Sequence, residues 1–198
     1  MIAIIDYGMG NLRSVQKALE YIGAQTQITS DPFAIERASR VILPGVGAYR
    51  DCSRMLKESG MADVTRTIIA QGKPLLGICV GMQLLFASSD EGGFFEGLDV
   101  FSDSITKLQT DQKIPHMGWN QVQAIDTPIL LKGVAGENFY FVHSYAAHNV
   151  AAPYVAGMTD YGVSFVSCVQ KENVMGTQFH PEKSGEAGLA LLQNFLTI

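Results

Sequence analysis

A cysteine flanked by two glycines lies in the segment LLGICVGMQ, residues 75–83. The apolar run before Cys79 predicts a buried strand, and the residues after it have helical spacing. A cysteine on such a tight turn projects from the carboxyl edge of a sheet, at a helix N-terminus that stabilises a thiolate. The N–H of Val80 would then be free to donate to an oxyanion. From this segment alone, a nucleophile and an ordinary buried cysteine are equally good interpretations.

A base for this thiol is available in the segment GTQFHPEKS, residues 176–184. Pro181 favours extended backbone at His180, and residues i and i+2 of an extended chain point the same way. Glu182 would therefore lie beside His180 and hold the imidazole in one tautomer. Alone, the segment is better explained as a plain strand-to-helix connection. Together with Cys79, it predicts a Cys–His–Glu triad for nucleophilic catalysis.

The segment LPGVGAY, residues 43–49, predicts a second oxyanion donor. Glycines flank Val46 where an apolar strand ends, so that an amide of Val46 or Gly47 can turn into or out of the site. An ordinary glycine-rich turn is the alternative. In the first loop, DYGMGNLRS, Arg13 replaces the third glycine of the G-x-G-x-x-G pattern, and we expect no nicotinamide or flavin cofactor.

The elements that must position these groups alternate between strand and helix up to residue 97. Helical spacing predicts helices at 11–23, at about 49–72 with a break at Gly60, and at 80–89. Apolar runs predict strands at 2–6, 40–45 and 74–79. Further strands are predicted at 98–108, 120–125, 138–145, 154–158, 164–170 and 174–180, before a final helix at 184–197. We expect one α/β domain over residues 1–198, with a mostly parallel sheet between helices and antiparallel strands added in the C-terminal half.

The composition excludes several classes of function. A net charge of -5 in 198 residues makes nucleic acid and anionic membranes improbable partners. No apolar stretch approaches the roughly 18 residues of a membrane span, and the N-terminus lacks the charged region of a signal peptide. The cysteines, at 52, 79 and 168, have neither disulfide nor zinc-site spacing. We expect a cytoplasmic protein with reduced thiols and no metal.

The motifs together resemble a known family. PGVGA, GICVGMQ, YFVHSY and GTQFHPEKS, with IPHMGWN and DYGMGNLRS, are similar to the glutaminase subunits of imidazole glycerol phosphate synthase. These are class I glutamine amidotransferases with a flavodoxin-like sheet and no cofactor. The resemblance implies that Cys79 attacks the side-chain amide of L-glutamine, that His180 transfers protons and that Glu182 orients His180. It also implies oxyanion donors at Val80 and at Val46 or Gly47.

The resemblance further implies where substrate and partner bind. Glutamine would contact Gln83, Ser144 and Tyr145. Ammonia would pass to a separate (β/α)₈-barrel cyclase subunit, because a barrel needs about 250 residues of its own. That partner would contact residues on several loops, namely Asn11, Met117, Trp119 and Lys183. For Met117 and Trp119, core packing is an equally good explanation.

Other functions use part of the same pattern. A cysteine peptidase on a similar sheet would use Cys79 and His180 to cleave peptides. A non-catalytic binding module would retain the turn without the chemistry. Another amidotransferase subunit, such as that of pyridoxal phosphate or anthranilate synthesis, would share the triad but serve a different partner.

Overall fold

Strands and helices alternate along the first half of the chain, as the periodicity predicts. The computed structural model describes residues 1–198. The helices are α1 (Leu12–Tyr21), α2 (Pro32–Arg37), α3 (Tyr49–Glu58), α4 (Met61–Ala70), α5 (Val80–Gln83) and α6 (Gly185–Thr197). The strands are β1 (Ile2–Ile5), β2 (Thr26–Thr29), β3 (Arg40–Gly45), β4 (Leu75–Cys79), β5 (Phe86–Ser89), β6 (Phe95–Glu96), β7 (Phe101–Lys107), β8 (His116–Gln121), β9 (Gln123–Ala124), β10 (Asn138–His143), β11 (Tyr145–Ala147), β12 (Val155–Asp160), β13 (Ser164–Lys171) and β14 (Val174–Thr177). Short 3₁₀ helices lie at Ile129–Leu131, Ala152–Tyr154 and Pro181–Lys183.

Twelve of the strands form one mixed sheet. Its parallel half has the order β2-β1-β3-β4-β14, which is the flavodoxin-like order when β14 is counted as the fifth strand. The sheet continues through β13, β11, β7, β5 and β6, with antiparallel pairing except between β5 and β7. The predicted fold class is therefore confirmed.

The inner parallel strands β1, β3, β4 and β14 are covered on both faces, which explains their largely apolar sequences, whereas the edge strand β2 is partly exposed. Every residue of β1, β4 and β14 is buried. The helices fall into two groups, since α1 contacts α6 whereas α2 and α3 contact α4. None of the helices has the length and apolar character needed to cross a membrane.

The predicted helix at 80–89 is wrong beyond its first turn. Helix α5 ends at Gln83, and Phe86–Ser89 form strand β5 beside β7. The backbone leaves the helix because Leu84 and Leu85 accept hydrogen bonds from the N–H groups of Leu98 and Val100, at 2.8 and 2.9 Å. A short apolar run that is buried on all sides carries no periodicity that separates strand from helix.

A second difference lies in the predicted strand 138–145, which divides at Ser144. Strand β10 pairs with β8 in a separate two-stranded ribbon, in which His143 lies opposite His116. Strand β11, beginning at Tyr145, instead joins the main sheet between β7 and β13. Ser144 therefore lies where the chain passes from the ribbon to the sheet.

The carboxyl ends of three parallel strands meet at one edge of the sheet. In the pairing of β3 with β4, Gly45 lies opposite Cys79, and in the pairing of β4 with β14, Ile78 lies opposite Thr177. His180 follows β14 by only a few residues. The topology therefore brings together segments that are far apart in the sequence, at the edge where open α/β sheets bind ligands.

Candidate active site

Cys79 occupies a strained turn between β4 and α5, formed by residues 77–81 and called the elbow below. Its φ of 54° and ψ of -113° lie outside the regions that side-chain-bearing residues usually adopt. A Cβ at Gly81 would lie 1.9 Å from the Leu43 carbonyl oxygen, and one at Gly77 would lie 2.8 Å from the Met82 backbone. Both glycines are therefore required by close backbone contact, and the elbow has the geometry that the spacing predicts.

His180 is held by Glu182 through a buried hydrogen bond. The distance from His180 Nδ1 to Glu182 Oε1 is 2.8 Å, and each side chain is only 1% exposed. The other ring nitrogen, Nε2, is buried without a hydrogen-bond partner. Burial alone would lower the pKa of His180, but the interactions with Cys79 and Glu182 outweigh it and raise that pKa above its ordinary value. The arrangement therefore favours the protonated, imidazolium form of His180.

Two further side chains hold this pair in place. Asn11 Nδ2 donates to Glu182 Oε1 at 3.2 Å. Ser184 Oγ donates to the His180 carbonyl at 2.6 Å and accepts from the Tyr140 N–H at 3.0 Å. The backbone of His180 is thus fixed from both sides, because its N–H also donates to the Tyr140 carbonyl at 2.9 Å. Sequence reasoning predicted neither contact, since Asn11 and Glu182 are 171 residues apart.

The predicted oxyanion donors lie side by side. Gly45 and Cys79, the last residues of β3 and β4, lie opposite each other. The residues that follow them, Val46 and Val80, therefore border the same cavity. Neither the Val46 nor the Gly47 N–H donates a hydrogen bond to another group of the protein. Unpaired backbone donors at a cavity wall are available to a ligand.

A cavity of about 770 Å³ opens above the elbow. The predicted catalytic and oxyanion residues in its wall are Cys79, His180, Val46, Gly47 and Val80. The predicted substrate and partner residues in its wall are Gln83, Ser144, Tyr145, Asn11 and Lys183. Glu182 lies behind His180, outside the lining. The cavity therefore brings a thiol, an imidazole and backbone N–H groups into one space.

Gln83 uses its amide donors within the protein. Its Nε2 donates to the Tyr145 carbonyl and to Gln178 Oε1, both at 3.0 Å. Only the Gln83 carbonyl oxygen is left for a ligand, so this side chain can accept a hydrogen bond from a substrate amide.

Two residues of the site escaped the sequence analysis. Gln178 is fully buried, and its Nε2 lies 3.8 Å from Cys79 Sγ, within reach of a hydrogen bond to sulfur. The i and i+2 argument applied to His180 and Glu182 would also have found Gln178. Glu91 brings a carboxylate to the cavity wall and accepts the Tyr49 N–H at 2.8 Å. The wrong helix at 80–89 hid Glu91, because it follows the unpredicted strand β5.

A pair of buried histidines connects the ribbon to the cavity. His116 Nδ1 lies 3.0 Å from His143 Nε2, and His143 Nδ1 lies 3.0 Å from the Tyr145 carbonyl oxygen. Burial lowers the pKa of His116 to about 4 and that of His143 to about 3. Both rings are therefore neutral near pH 7, and their tautomers are set by this chain of hydrogen bonds. No group of three or more His, Cys, Asp or Glu side chains is arranged to hold a metal ion.

The residues predicted to contact a partner lie in two places. Met117 and Trp119 project from β8 and are 61% and 58% exposed. Asn11 and Lys183 lie at the cavity instead. Tyr140 links the two places, because its ring has Trp119 at 6.2 Å and the Lys183 ammonium at 5.7 Å. Exposed aromatic and methionine side chains are typical of interfaces, but contact with a partner stays a prediction.

Comparison with known proteins gives concordant matches. A family model described as "Glutamine amidotransferase class-I" matches residues 3–198. The protein named "Imidazole glycerol phosphate synthase subunit HisH" in Caldanaerobacter subterraneus subsp. tengcongensis is 51% identical over 197 residues, covering 98% of this chain and 97% of that relative. Its namesake in Geobacter metallireducens is 48% identical over 202 residues, covering 98% and 96%. A solved structure described as "Crystal structure of glutamine amidotransferase" has a TM-score of 0.78 at 17% identity, covering 98% of this chain and 99% of its own, and supports the fold alone.

Proposed function

The chain belongs to the class I glutamine amidotransferases, within the family of HisH subunits, and on this premise we propose that it is the glutaminase subunit of an imidazole glycerol phosphate synthase. It hydrolyses L-glutamine to glutamate and ammonia, and the ammonia is used in histidine biosynthesis. The observation that carries the proposal is the strained, glycine-flanked Cys79 beside the buried His180–Glu182 pair at a cavity. We include residues 1–198 in one amidotransferase domain.

The first half of the reaction forms a thioester. The Cys79 sulfur attacks the side-chain carbonyl carbon of glutamine, and a C–S bond forms. His180 Nε2, which is buried without another partner, holds the thiol proton and delivers it to the departing ammonia as the C–N bond breaks. Glu182 keeps the ring in the tautomer and orientation that this transfer needs.

The second half hydrolyses the thioester. His180 takes a proton from water, the resulting hydroxide adds to the thioester carbon, and the C–S bond breaks to release glutamate. In both halves a negative charge develops on the carbonyl oxygen. In our proposal the Val80 amide, with an amide of Val46 or Gly47, stabilises this charge, and each such donor is worth about 10²–10³ in rate.

The amino-acid end of glutamine is recognised by other residues of the cavity wall. Backbone groups of Ser144 and Tyr145 and the Gln83 carbonyl oxygen supply polar contacts. Glu91 supplies a negative charge for the α-ammonium group. A cavity of about 770 Å³ is ample for one glutamine molecule.

The name of the relatives describes a subunit, which implies a partner subunit in the synthase. We propose that this partner is a separate (β/α)₈-barrel cyclase, and that it contacts Met117 and Trp119 together with Asn11 and Lys183. We also propose that the partner sets the orientation of the backbone amide between Gly45 and Gly47, so that glutamine hydrolysis is slow without the partner. The cysteines are free thiols, which supports a reducing compartment such as the cytoplasm.

The test is ammonia release from L-glutamine, measured for the protein alone and mixed with a cyclase subunit. We expect a faster rate in the mixture, and hydroxylamine should trap the thioester as γ-glutamyl hydroxamate. Cys79→Ala should lower the rate by at least about 10³-fold, whereas Cys168→Ala, at a buried cysteine outside the cavity lining, should keep it. Wild-type ammonia release by Cys79→Ala would contradict the proposal. Peptide cleavage without glutamine hydrolysis would instead identify a peptidase, and equal rates with and without the cyclase would exclude control by the partner.

A further inference from the structure

Two buried side chains contact residues 44–47, the segment that carries the proposed second oxyanion donor. The Tyr7 hydroxyl donates to the Pro44 carbonyl at 2.8 Å, and Cys52 Sγ lies 3.4 Å from the Val46 carbonyl oxygen. Tyr7 is 2% exposed and Cys52 is fully buried. Neither side chain lines the cavity, and the reaction described above uses neither of them.

We propose that Tyr7 and Cys52 are positioning residues that fix the peptides on both sides of the Gly45–Val46 peptide and so hold its two ends at the positions from which the Val46 N–H reaches the oxyanion. This inference rests on the proposed function, because it assigns the two side chains a role in that reaction. The pair is called the clamp below.

Both members of the clamp keep the proton that they need as donors. Burial is the main cause that raises the pKa of Cys52, to about 11, and it also raises that of Tyr7 above its ordinary value. Near pH 7 the thiol and the phenol are therefore both protonated. Each has one proton to donate, and an acceptor carbonyl lies within reach of each. The two side chains also lie within hydrogen-bond reach of each other.

The clamp leaves only one peptide of the segment free to turn. Hydrogen bonds to the Pro44 and Val46 carbonyls hold the planar Pro44–Gly45 and Val46–Gly47 peptides. The peptide between them can rotate only through opposite changes in the Gly45 ψ and the Val46 φ. The Val46 N–H has no acceptor in the protein.

The segment also lies directly against the elbow. A Cβ at Gly45 would lie 2.6 Å from the Gly81 nitrogen and 3.0 Å from the Tyr7 hydroxyl oxygen. Tyr7 follows β1 and Cys52 belongs to the first turn of α3, so the segment is tied to two different elements. A small displacement at either tie therefore moves the Val46 amide relative to Cys79.

The variant Cys52→Ala removes one tie without touching the cavity. Loss of an oxyanion donor costs about 10²–10³ in rate, and because the donor is loosened rather than removed, we expect kcat to fall about tenfold. KM should change by less than about twofold, since the clamp acts on charge that develops after binding. Cys52→Ser should recover most of the wild-type kcat, because its hydroxyl also donates.

Alkylation of Cys79 by iodoacetamide separates this role from general damage to the elbow. Alkylation displaces iodide from a saturated carbon and forms no oxyanion, so its rate should be unchanged in Cys52→Ala. Tyr7→Phe removes the other tie and should give the same pattern, which keeps the test valid if Cys52→Ala folds poorly. Cys168→Ala is the matched control, because it creates a similar buried gap away from the site.

Three results would overturn the clamp: a wild-type kcat in both Cys52→Ala and Tyr7→Phe, a parallel fall of kcat and alkylation, or a Cys52→Ser variant as slow as Cys52→Ala. Wild-type protein that releases no ammonia from glutamine, even with a cyclase subunit, would instead contradict the proposed function. The two failures are therefore distinguishable.

Discussion

At the scale of single residues, the orientation of two side-chain amides links Tyr145 to Cys79. The Tyr145 carbonyl accepts from Gln83 Nε2, and the same nitrogen donates to Gln178 Oε1. This fixes which end of the Gln178 amide faces Cys79, and its Nε2 lies 3.8 Å from the sulfur. The protein thus directs a side-chain N–H at the Cys79 sulfur.

We expect Gln178→Met to weaken the nucleophile. The substitution roughly preserves volume but removes the donor to Cys79, so alkylation of Cys79 by iodoacetamide at pH 7 should slow about three- to tenfold. The value of kcat/KM for ammonia release should fall by a similar factor. Both rates are measured on the same preparation, with Gln170→Met, in the neighbouring strand β13, as the control. Unchanged alkylation in Gln178→Met would show that the contact is only structural.

At the scale of elements, the elbow depends on backbone surfaces that touch. Strands β3 and β4 pair in parallel, and the turn into α5 passes so close to Leu43 that no side chain fits at Gly81. The first turn of α5 is therefore placed by β3 as much as by its own sequence.

Gly81→Ala should be strongly destabilising for this reason. Its Cβ would lie 1.9 Å from the Leu43 carbonyl oxygen, and we expect a loss of about 3 kcal/mol or more in the free energy of unfolding. Gly23→Ala is the control, because its Cβ would meet nothing within 4 Å although its φ is +87°; it should cost about 1–2 kcal/mol. Urea unfolding curves measure both, and equal losses would contradict the steric explanation.

The elements also show what the sequence can and cannot predict. The turn at Cys79 and the contact between His180 and Glu182 could be predicted because both are local patterns, each set by a few neighbouring residues. Strand β5 could not be predicted, because this short and mostly buried segment has no clear periodicity and its partner β7 lies beside it only in the folded chain. The contact between Asn11 and Glu182 was also out of reach, since only the sheet order brings α1 beside the residues after β14. Local spacing predicts chemistry, whereas contacts distant in sequence require the topology.

At the scale of the whole molecule, the His116–His143 pair joins the ribbon to the main sheet. The pair extends the pairing of β8 with β10 and ends on the carbonyl of Tyr145, the first residue of β11. His116 is also stacked on Tyr161, with ring centroids 4.0 Å apart. Burial of both imidazoles favours their neutral forms.

Acid should therefore destabilise the fold through these histidines. Their pKa values in the folded protein, about 4 and about 3, lie below the ordinary value of 6.5. Below pH 6.5 the unfolded chain binds protons that the folded chain does not, so stability is full above pH 6.5 and falls as the pH decreases toward 4. Each histidine contributes a slope of up to about 1.4 kcal/mol per pH unit.

His116→Asn should remove one such slope between pH 6.5 and 4.5, because asparagine does not titrate there. Its side-chain amide can still donate toward His143. The measurement is the free energy of unfolding against pH from urea titrations, with His148→Asn as the control outside the pair. Identical slopes for wild-type protein and His116→Asn would rule out this source of acid sensitivity.

The position of β14 has a consequence for the order in which the molecule acquires its chemistry. This strand lies at the centre of the sheet, between β4 and β13, yet it is made of residues 174–177 near the end of the described chain. During synthesis, β4 and β13 leave the ribosome before β14, the strand that pairs with both of them, and His180 follows β14. Cys79 is therefore made well before His180, the base of the proposed reaction. That reaction can begin only when β14 joins the two halves of the sheet beside Cys79.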